Sequence, residues 1–407
     1  MDGRRSRRLI LAAAGVALLL RLAFGLLYWT GKPLTHDERE YLALAESLAA
    51  GRGFTYADND ETGTSPRFGR APGYPAFLAL FPAPSRPESA PALIKIVQSV
   101  LGAIGILLIA SIARSAAGER AAVISAWLAA VYPPLVWMPS YVLSETLYFP
   151  LALLCALLLN MAGAGLRDDV RRSVAAGLIA GIAALVRPGM LIFLPMAAVW
   201  LARRRRLAPA VALALAATVV IAPWTLRNLR HFGRFVLIAS EGGVTFWTGN
   251  HPLARGEGDL AANPELKRHE VAFRAAHPGL SAEALEPLYY REALRQIRND
   301  PAGWLALLVR KAFYTVVPIG PSYTLHSTKY LLATVVPYAV LAPLALAGFV
   351  IIRRSGRPPE PLYLLAASVV LTSLIFFPQE RFRLTVIDPL IIVGAASAIG
   401  GVTRQDS

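Results

Sequence analysis

The chain alternates between long apolar runs and short polar connections along most of its length. A helix that crosses a bilayer needs about 20 predominantly apolar residues at a rise of about 1.5 Å each. This pattern predicts an all-α polytopic membrane protein with about ten transmembrane helices. The predicted spans lie at 9–30, 91–113, 120–138, 144–163, 172–187, 189–202, 207–225, 329–352, 361–377 and 384–402.

Composition and charge placement support this class. The 407 residues are 55% hydrophobic and only 16% charged, which is too apolar for a soluble globular protein. The net charge of +15 would suit nucleic-acid binding, but the basic residues cluster at the ends of the apolar runs. This placement is typical of cytoplasmic loops between membrane spans and indicates no nucleic-acid partner. The clusters are Arg4, Arg5, Arg7 and Arg8; Arg114 and Arg120; Arg167, Arg171 and Arg172; Arg203 to Arg206; and Arg353, Arg354 and Arg357.

With these clusters in the cytoplasm, both termini lie inside, and the loops 31–90 and 227–301 lie outside. The stretch 302–318 carries Arg310 and Lys311 in its middle, which favours an interfacial helix on the outer surface over an eleventh span. The first apolar run exceeds the usual length of a signal peptide and is expected to remain as a span.

The expected organisation has three parts: a transmembrane core at 1–226 that includes the loop 31–90, a periplasmic loop region at 227–328, and C-terminal transmembrane helices at 329–407. The single cysteine allows no intramolecular disulfide.

The loop after the first span opens with Thr35-His36-Asp37-Glu38. Thr35 and Glu38 have the spacing of a capping box, so Glu38 fits a helix-capping role as well as a catalytic one. Asp37 is not needed for the cap, which makes it the stronger catalytic candidate. Further on, Arg67 and Arg70 precede a Pro-Gly-Tyr-Pro turn, where they either face lipid phosphates or form an anion site beside Asp37.

Other polar residues are predicted at the same outer surface. Glu145 follows a plausible N-cap, Ser144, at the outer end of the fourth span, where it could meet Asp37 in one cavity. Interface arginines often only reach toward lipid headgroups, but several converge on this side. The candidate cations for a phosphate are Arg70, Arg187, Arg227, Lys311, Arg381 and Arg383.

A series of motifs extends this pattern along most of the chain. In order they are HDEREYLALAESLAAGRGF, RAPGYPAFLA, KIVQSVLGAIG, GERAAVISAWLAAVYPPLVWMPSYVLSETLYFPL, LVRPG, APWTLRNLRHFG and TGNHPLARG. Their order and predicted sidedness resemble the C-type (GT-C) membrane glycosyltransferases of family 39, which include protein O-mannosyltransferases and the lipid A aminoarabinose transferase.

The resemblance implies a GT-C fold with periplasmic amphipathic helices and an outer loop domain in the bacterial inner membrane. It also implies inverting transfer of a sugar from a polyprenyl-phosphate donor to a hydroxyl of an envelope glycan, lipid or protein. Asp37 would be the base, with Glu38 and Glu145 as further catalytic candidates, and Tyr41, Tyr74 and Asn250 as candidate substrate contacts. A divalent metal is possible but not required, and no histidine spacing indicates a metal site.

The alternative from another class is a transporter or flippase of lipid-linked sugars. That function would favour ionisable residues at the bilayer midplane and broken helices in matched halves. The charges of this sequence instead collect at span ends, which favours the enzyme.

The predicted topology can be tested by cysteine-accessibility labelling in a Cys155→Ala background. A cysteine replacing Leu260 should react with an impermeant reagent added from outside, and a cysteine replacing Arg205 should not. The reverse pattern would contradict the predicted sidedness of both loops.

Overall fold

The computed structural model describes residues 3–55, 69–82, 87–161, 165–325, 327–354, 356 and 358–401. These residues form α-helices and no β-strand, apart from one isolated antiparallel bridge between Pro33 and Ser89. The all-α prediction is confirmed. The helices are α1 Gly3–Ala23, α2 His36–Ala49, α3 Gly73–Leu78, α4 Ala92–Ala117, α5 Glu119–Val131, α6 Pro133–Trp137, α7 Glu145–Asn160, α8 Leu166–Val186, α9 Met190–Arg203, α10 Leu207–Phe232, α11 Gly242–Asn250, α12 Pro264–Ala275, α13 Ala282–Asn299, α14 Pro301–Val316, α15 Thr328–Arg354, α16 Glu360–Ile375, α17 Glu380–Leu384 and α18 Ile387–Gly400.

Among the described residues, four helices are long and apolar enough to cross a membrane: α1 with its π-helical extension to Tyr28, α4, α10 and α15. The predicted count of ten spans is not confirmed. Four further apolar helices, α7, α9, α16 and α18, have only 14 to 16 residues. Helices of this length reach about 21–24 Å, short of a hydrocarbon core of about 30 Å.

The span predicted at 120–138 is broken. The helix Glu119–Val131 and the segment Pro133–Ser140 meet at an angle of 64°. Tyr132 between them is extended, at φ −66° and ψ 112°. A residue before proline is disfavoured in the helical region, and Tyr132 precedes two prolines, so the continuous apolar run cannot remain one straight helix.

Small residues allow the apolar helices to approach closely. At the crossing of α15 and α18, Gly348 lies against Gly394, and at the crossing of α8 and α10, Gly177 lies against the carbonyl of Leu213. Close packing of backbones at small residues is a typical means of helix association in membranes.

This packing yields a stability prediction. A Cβ at Gly348 would lie 1.8 Å from the carbonyl oxygen of Gly394, so Gly348→Ala must push α15 and α18 apart. The expected loss is about 1–3 kcal/mol, the usual cost of overpacking. Gly15→Ala in α1 is the control, because a Cβ there meets nothing within 4 Å. Thermal unfolding in detergent should show a lower midpoint for Gly348→Ala only; equal midpoints would refute the close crossing.

Candidate active site

The first turn of α2 carries the two acids that the sequence singled out. Glu38 closes the predicted capping box, accepting a hydrogen bond from the Thr35 amide at 2.8 Å, while the Thr35 hydroxyl accepts from the Glu38 amide. Its other carboxylate oxygen accepts from the Val142 amide at 2.8 Å. Glu38 is buried and fully engaged in holding α2 against the chain before α7, so its capping role is confirmed.

Asp37, next to it, faces a group of charges. Arg70, from the turn before α3, contacts three carboxylates: Asp37 at 2.7 Å, Glu40 at 2.8 Å and Glu241 at 3.1 Å. Asp37 and Glu40 share a face of α2 because they are three residues apart. Glu241 comes from the N-cap position of α11. One guanidinium thus joins α2, the turn before α3, and α11.

A second guanidinium joins the two predicted catalytic acids. Arg381 in α17 contacts Asp37 at 2.7 Å and Glu145 at 3.2 Å. Glu145 is 1% exposed in its side chain and also pairs with Arg187 at 2.5 Å. Asp37 and Glu145 are therefore brought close together through Arg381, as predicted, although neither lines the cleft described below. We call the seven residues of this site, Asp37, Glu40, Arg70, Glu145, Arg187, Glu241 and Arg381, the charge cluster.

Burial and charge act in opposite directions on the acids of the charge cluster. Burial alone would raise the pKa of Asp37, but the positive charges of Arg381 and Arg70 outweigh it and hold that pKa well below its usual range. At Glu241 burial dominates over the attraction of Arg70, and the pKa is raised. Asp37 is consequently ionised at any physiological pH, whereas Glu241 binds a proton more readily.

The charge cluster borders an open cleft of about 1180 Å³, including the part open to solvent. Arg70, Arg187, Arg381 and Glu241 line it directly, while Asp37 and Glu145 lie behind the arginines that they contact. The rest of the lining is largely apolar or aromatic and comes from the chain around α3, α8, α16 and α17: Ala71, Val186, Pro188, Val369, Phe376, Phe377 and Phe382. The cleft therefore combines a cationic region with an apolar one.

Aromatic residues order the cationic region. The Arg187 guanidinium lies 4.5 Å from the Phe382 ring centroid, and that of Arg70 lies 5.6 Å from the Tyr41 centroid. Tyr41 lines the cleft, and Tyr74 packs edge-on behind it at 5.0 Å. The Tyr74 hydroxyl donates to Gln98 at 2.6 Å. The two predicted tyrosines are thus adjacent, and only Tyr41 lines the cleft.

Four further predicted residues, beyond those described above, lie outside the lining of the cleft. Arg227 stacks 4.9 Å from the Trp224 ring centroid, on α10. Arg383 is buried and paired with Asp388 at 2.8 Å. Lys311 and Asn250 bond to each other at 3.0 Å, buried beneath the C-terminal end of α16. Arg67, which the sequence placed with Arg70 before the Pro-Gly-Tyr-Pro turn, lies outside the described residues.

Three polar groups near the site differ from the sequence interpretation. Ser144 does not cap α7 through its side chain; its hydroxyl instead accepts from Arg187 at 3.2 Å and donates to Glu145 at 3.3 Å. Glu40 and Glu241 were not predicted. The i,i+3 spacing from Asp37 to Glu40 could have indicated the first, but no local pattern marked Glu241.

Comparisons with known proteins give a family match for part of the chain and a fold for nearly all of it. Residues 70–226 match the family described as dolichyl-phosphate-mannose-protein mannosyltransferase. No curated protein matches the sequence closely enough to count as a relative.

Among solved structures, the oligosaccharyltransferase of Archaeoglobus fulgidus, tethered to an acceptor peptide, has a TM-score of 0.59 at 15% identity. The match covers 98% of this chain and 49% of that one. The same organism's AglB, in complex with an inhibitory peptide and a dolichol-phosphate, has a TM-score of 0.53 at 15% identity, covering 96% of this chain and 50% of that one.

The match to ArnT from Cupriavidus metallidurans, bound to undecaprenyl phosphate, covers 98% of this chain and 78% of ArnT at 15% identity. Its TM-score of 0.39 is too low to support an argument about the structure. The chain spans about half the length of the oligosaccharyltransferases that it matches. The family match within residues 70–226 and the fold shared with the oligosaccharyltransferase over nearly the whole chain agree with the resemblance that the motifs predicted.

Proposed function

We propose that the protein transfers a sugar from a polyprenyl-phosphate donor to an acceptor hydroxyl at the outer face of the inner membrane. Both termini would be cytoplasmic, and the cleft would face the periplasm. The observation that carries the proposal is the cleft itself, in which three arginines adjoin an apolar and aromatic wall. A lipid phosphate has this same division between an anionic head and an apolar tail.

The three arginines suit the phosphate of the donor. Arg70, Arg187 and Arg381 converge from three separate parts of the chain and all line the cleft. Guanidinium groups form bidentate, charge-assisted hydrogen bonds with phosphate oxygens. The isoprenoid chain would lie along the apolar side, beside Val369, Phe376 and Phe377.

Binding of the phosphate would change the partners of Asp37. In the structure its two carboxylate oxygens pair with Arg70 and Arg381, which also weakens it as a base. A bound phosphate competes for the same guanidinium groups. As their charge is shared with the phosphate, the pKa of Asp37 rises toward the range in which a carboxylate accepts a proton efficiently.

The chemical step needs one base and one leaving group. The acceptor oxygen attacks the anomeric carbon while its proton passes to Asp37, and the bond from that carbon to the phosphate oxygen breaks. The electron pair leaves with the polyprenyl phosphate, whose charge the arginines stabilise. A single displacement inverts the anomeric centre. No step requires a metal, and the described residues include no group of three or more metal-ligating side chains suited to hold one.

Glu241 is the second candidate for the base. It lines the cleft directly, whereas Asp37 lies behind two arginines. Its raised pKa also makes it the better proton acceptor while Asp37 is paired with both arginines. Glu145, buried between Arg187 and Arg381, is placed to hold those arginines.

One prediction of the proposed function concerns donor binding. Replacing Arg70, Arg187 or Arg381 by alanine should weaken donor binding about ten- to a hundredfold, since a hydrogen bond to a charged group contributes about 1.5–3 kcal/mol. Lysine should restore only part of the loss, because it cannot bind bidentately. Dissociation constants for a synthetic polyprenyl-phosphate sugar measure this effect.

Arg227→Ala is the matched control, because Arg227 lies outside the cleft and should leave donor affinity unchanged. If it weakened binding as much as the three cleft variants, the phosphate site would lie elsewhere. A protein that binds the donor tightly but transfers no sugar to any hydroxyl acceptor would support the flippase alternative.

Another prediction of the proposed function identifies the base. Asp37→Asn keeps the shape of the side chain but cannot accept a proton and loses its ion pairs with Arg70 and Arg381, so transfer should fall by about 10²–10⁴-fold, and donor binding is measured in parallel to separate the two effects. Glu38→Gln keeps an oxygen to accept from the Thr35 amide but turns its NH2 group toward the Val142 amide, so it should lower stability and cost transfer far less than Asp37→Asn. Single-turnover transfer rates by purified variants test both. An active Asp37→Asn enzyme together with an inactive Glu241→Gln enzyme would assign the base to Glu241.

A further inference from the structure

One continuous segment supplies much of the cleft lining. Residues 376–385, here called the wall segment, connect α16 to α18 and include α17. Six of its residues line the cleft: Phe376, Phe377, Gln379, Arg381, Phe382 and Thr385. The segment carries the arginine that joins Asp37 to Glu145 and the ring beneath Arg187. Its position therefore determines the geometry of the cationic region.

The segment is fixed at its first end by Lys311 and Asn250. Lys311 donates to the carbonyl of Leu374 at 3.0 Å, and Asn250 donates to that of Ile375 at 2.8 Å. The Asn250 side-chain oxygen accepts from Lys311 at 3.0 Å and from Trp304 at 2.9 Å. These carbonyls belong to the last turn of α16, where a helix has unsatisfied acceptors and where a cation is favourable.

At the other end, a buried charged pair holds the segment. Arg383 contacts Asp388 of α18 at 2.8 Å, and both side chains are at most 1% exposed. Tyr132, at the break between α5 and α6, donates to the second oxygen of Asp388 at 2.9 Å. The Arg383 guanidinium also lies 4.7 Å from the ring centroid of Tyr338 in α15. Four parts of the chain thus meet at this end, two residues beyond Arg381.

We propose that Lys311 and the Arg383–Asp388 pair are positioning residues that clamp the wall segment so that Arg381 reaches the donor phosphate and Asp37. The role of Arg381 at the donor phosphate rests on the proposed function, whereas the clamp on the wall segment rests on the contacts alone. It gives the two buried cations a role different from the phosphate binding that the sequence suggested. Losing one partner of a buried ion pair leaves an uncompensated charge, which displaces the groups around it.

A double-mutant cycle on donor use tests the proposal. Asp388→Asn removes the charge that holds Arg383 with little change of shape. It should raise the donor KM about tenfold in the wild-type background and less than about twofold in an Arg381→Ala background, because residues that act through one another are not additive. The same factor in both backgrounds would overturn the proposal. At the other end, Lys311→Met should show the same dependence on Arg381, and Lys311→Arg should restore part of the loss.

Asp169→Asn is the matched control for mere loss of stability. It also removes the charge of a largely buried aspartate paired with an arginine, Arg206 at 3.3 Å, but at the start of α8, away from the cleft. It should lower the unfolding midpoint without changing the donor KM. If Asp388→Asn does not fold, Tyr132→Phe removes only the hydrogen bond to Asp388, and the same cycle with Arg381→Ala decides the question.

A readout that needs no donor separates this proposal from the proposed function. Amide hydrogen exchange in residues 376–386 should become faster in Asp388→Asn and Lys311→Met, and should stay unchanged in Asp169→Asn. Unchanged exchange in the first two variants would refute the clamp, whatever the enzyme does. Faster exchange in a protein that binds no polyprenyl phosphate would instead leave the clamp standing and refute the proposed function.

Discussion

The ion pairs of Asp37 with Arg70 and Arg381 are the contacts on which the rest of the site depends. They join α2 and the turn before α3 to α17, which lies more than 300 residues further along the chain. Charges held away from water are costly unless each is paired, so these residues keep one another in place. The pairing also sets the chemistry, because the cations that suit a phosphate are held by the acid proposed as the base.

In this arrangement, acids offset the positive charge of the three arginines that line the cleft. Asp37 and Glu145 lie behind arginines, and Arg70 divides its guanidinium among three carboxylates. When a phosphate enters the cleft, the arginines exchange their carboxylate partners for phosphate oxygens. The new contacts offset the energetic cost of separating the arginines from their acids. The same exchange would link donor binding to the activation of the base.

The sequence predicted the fold class, the capping box and the meeting of Asp37 with Glu145, because each rests on local pattern or on sidedness. It did not predict the break at Tyr132, although two prolines mark it, since apolar length alone was counted. It offered Lys311 and Arg383 as phosphate ligands, whereas in the structure they lie outside the lining of the cleft, against a carbonyl and an aspartate. Nothing local distinguishes a cation that faces a cleft from one buried against a carbonyl or an aspartate; that difference is set by tertiary packing. Glu241 escaped notice for the same reason.

The central claim is that a lipid phosphate binds at the three arginines of the cleft. The most direct measurement is an experimental structure of the protein with a polyprenyl phosphate bound, at a resolution that places side chains. The account predicts the phosphate within hydrogen-bonding distance of Arg70, Arg187 and Arg381. At least one of the two arginines that pair with Asp37, Arg70 and Arg381, should be turned away from it. A phosphate bound outside this cleft, with both pairs of Asp37 intact, would contradict it.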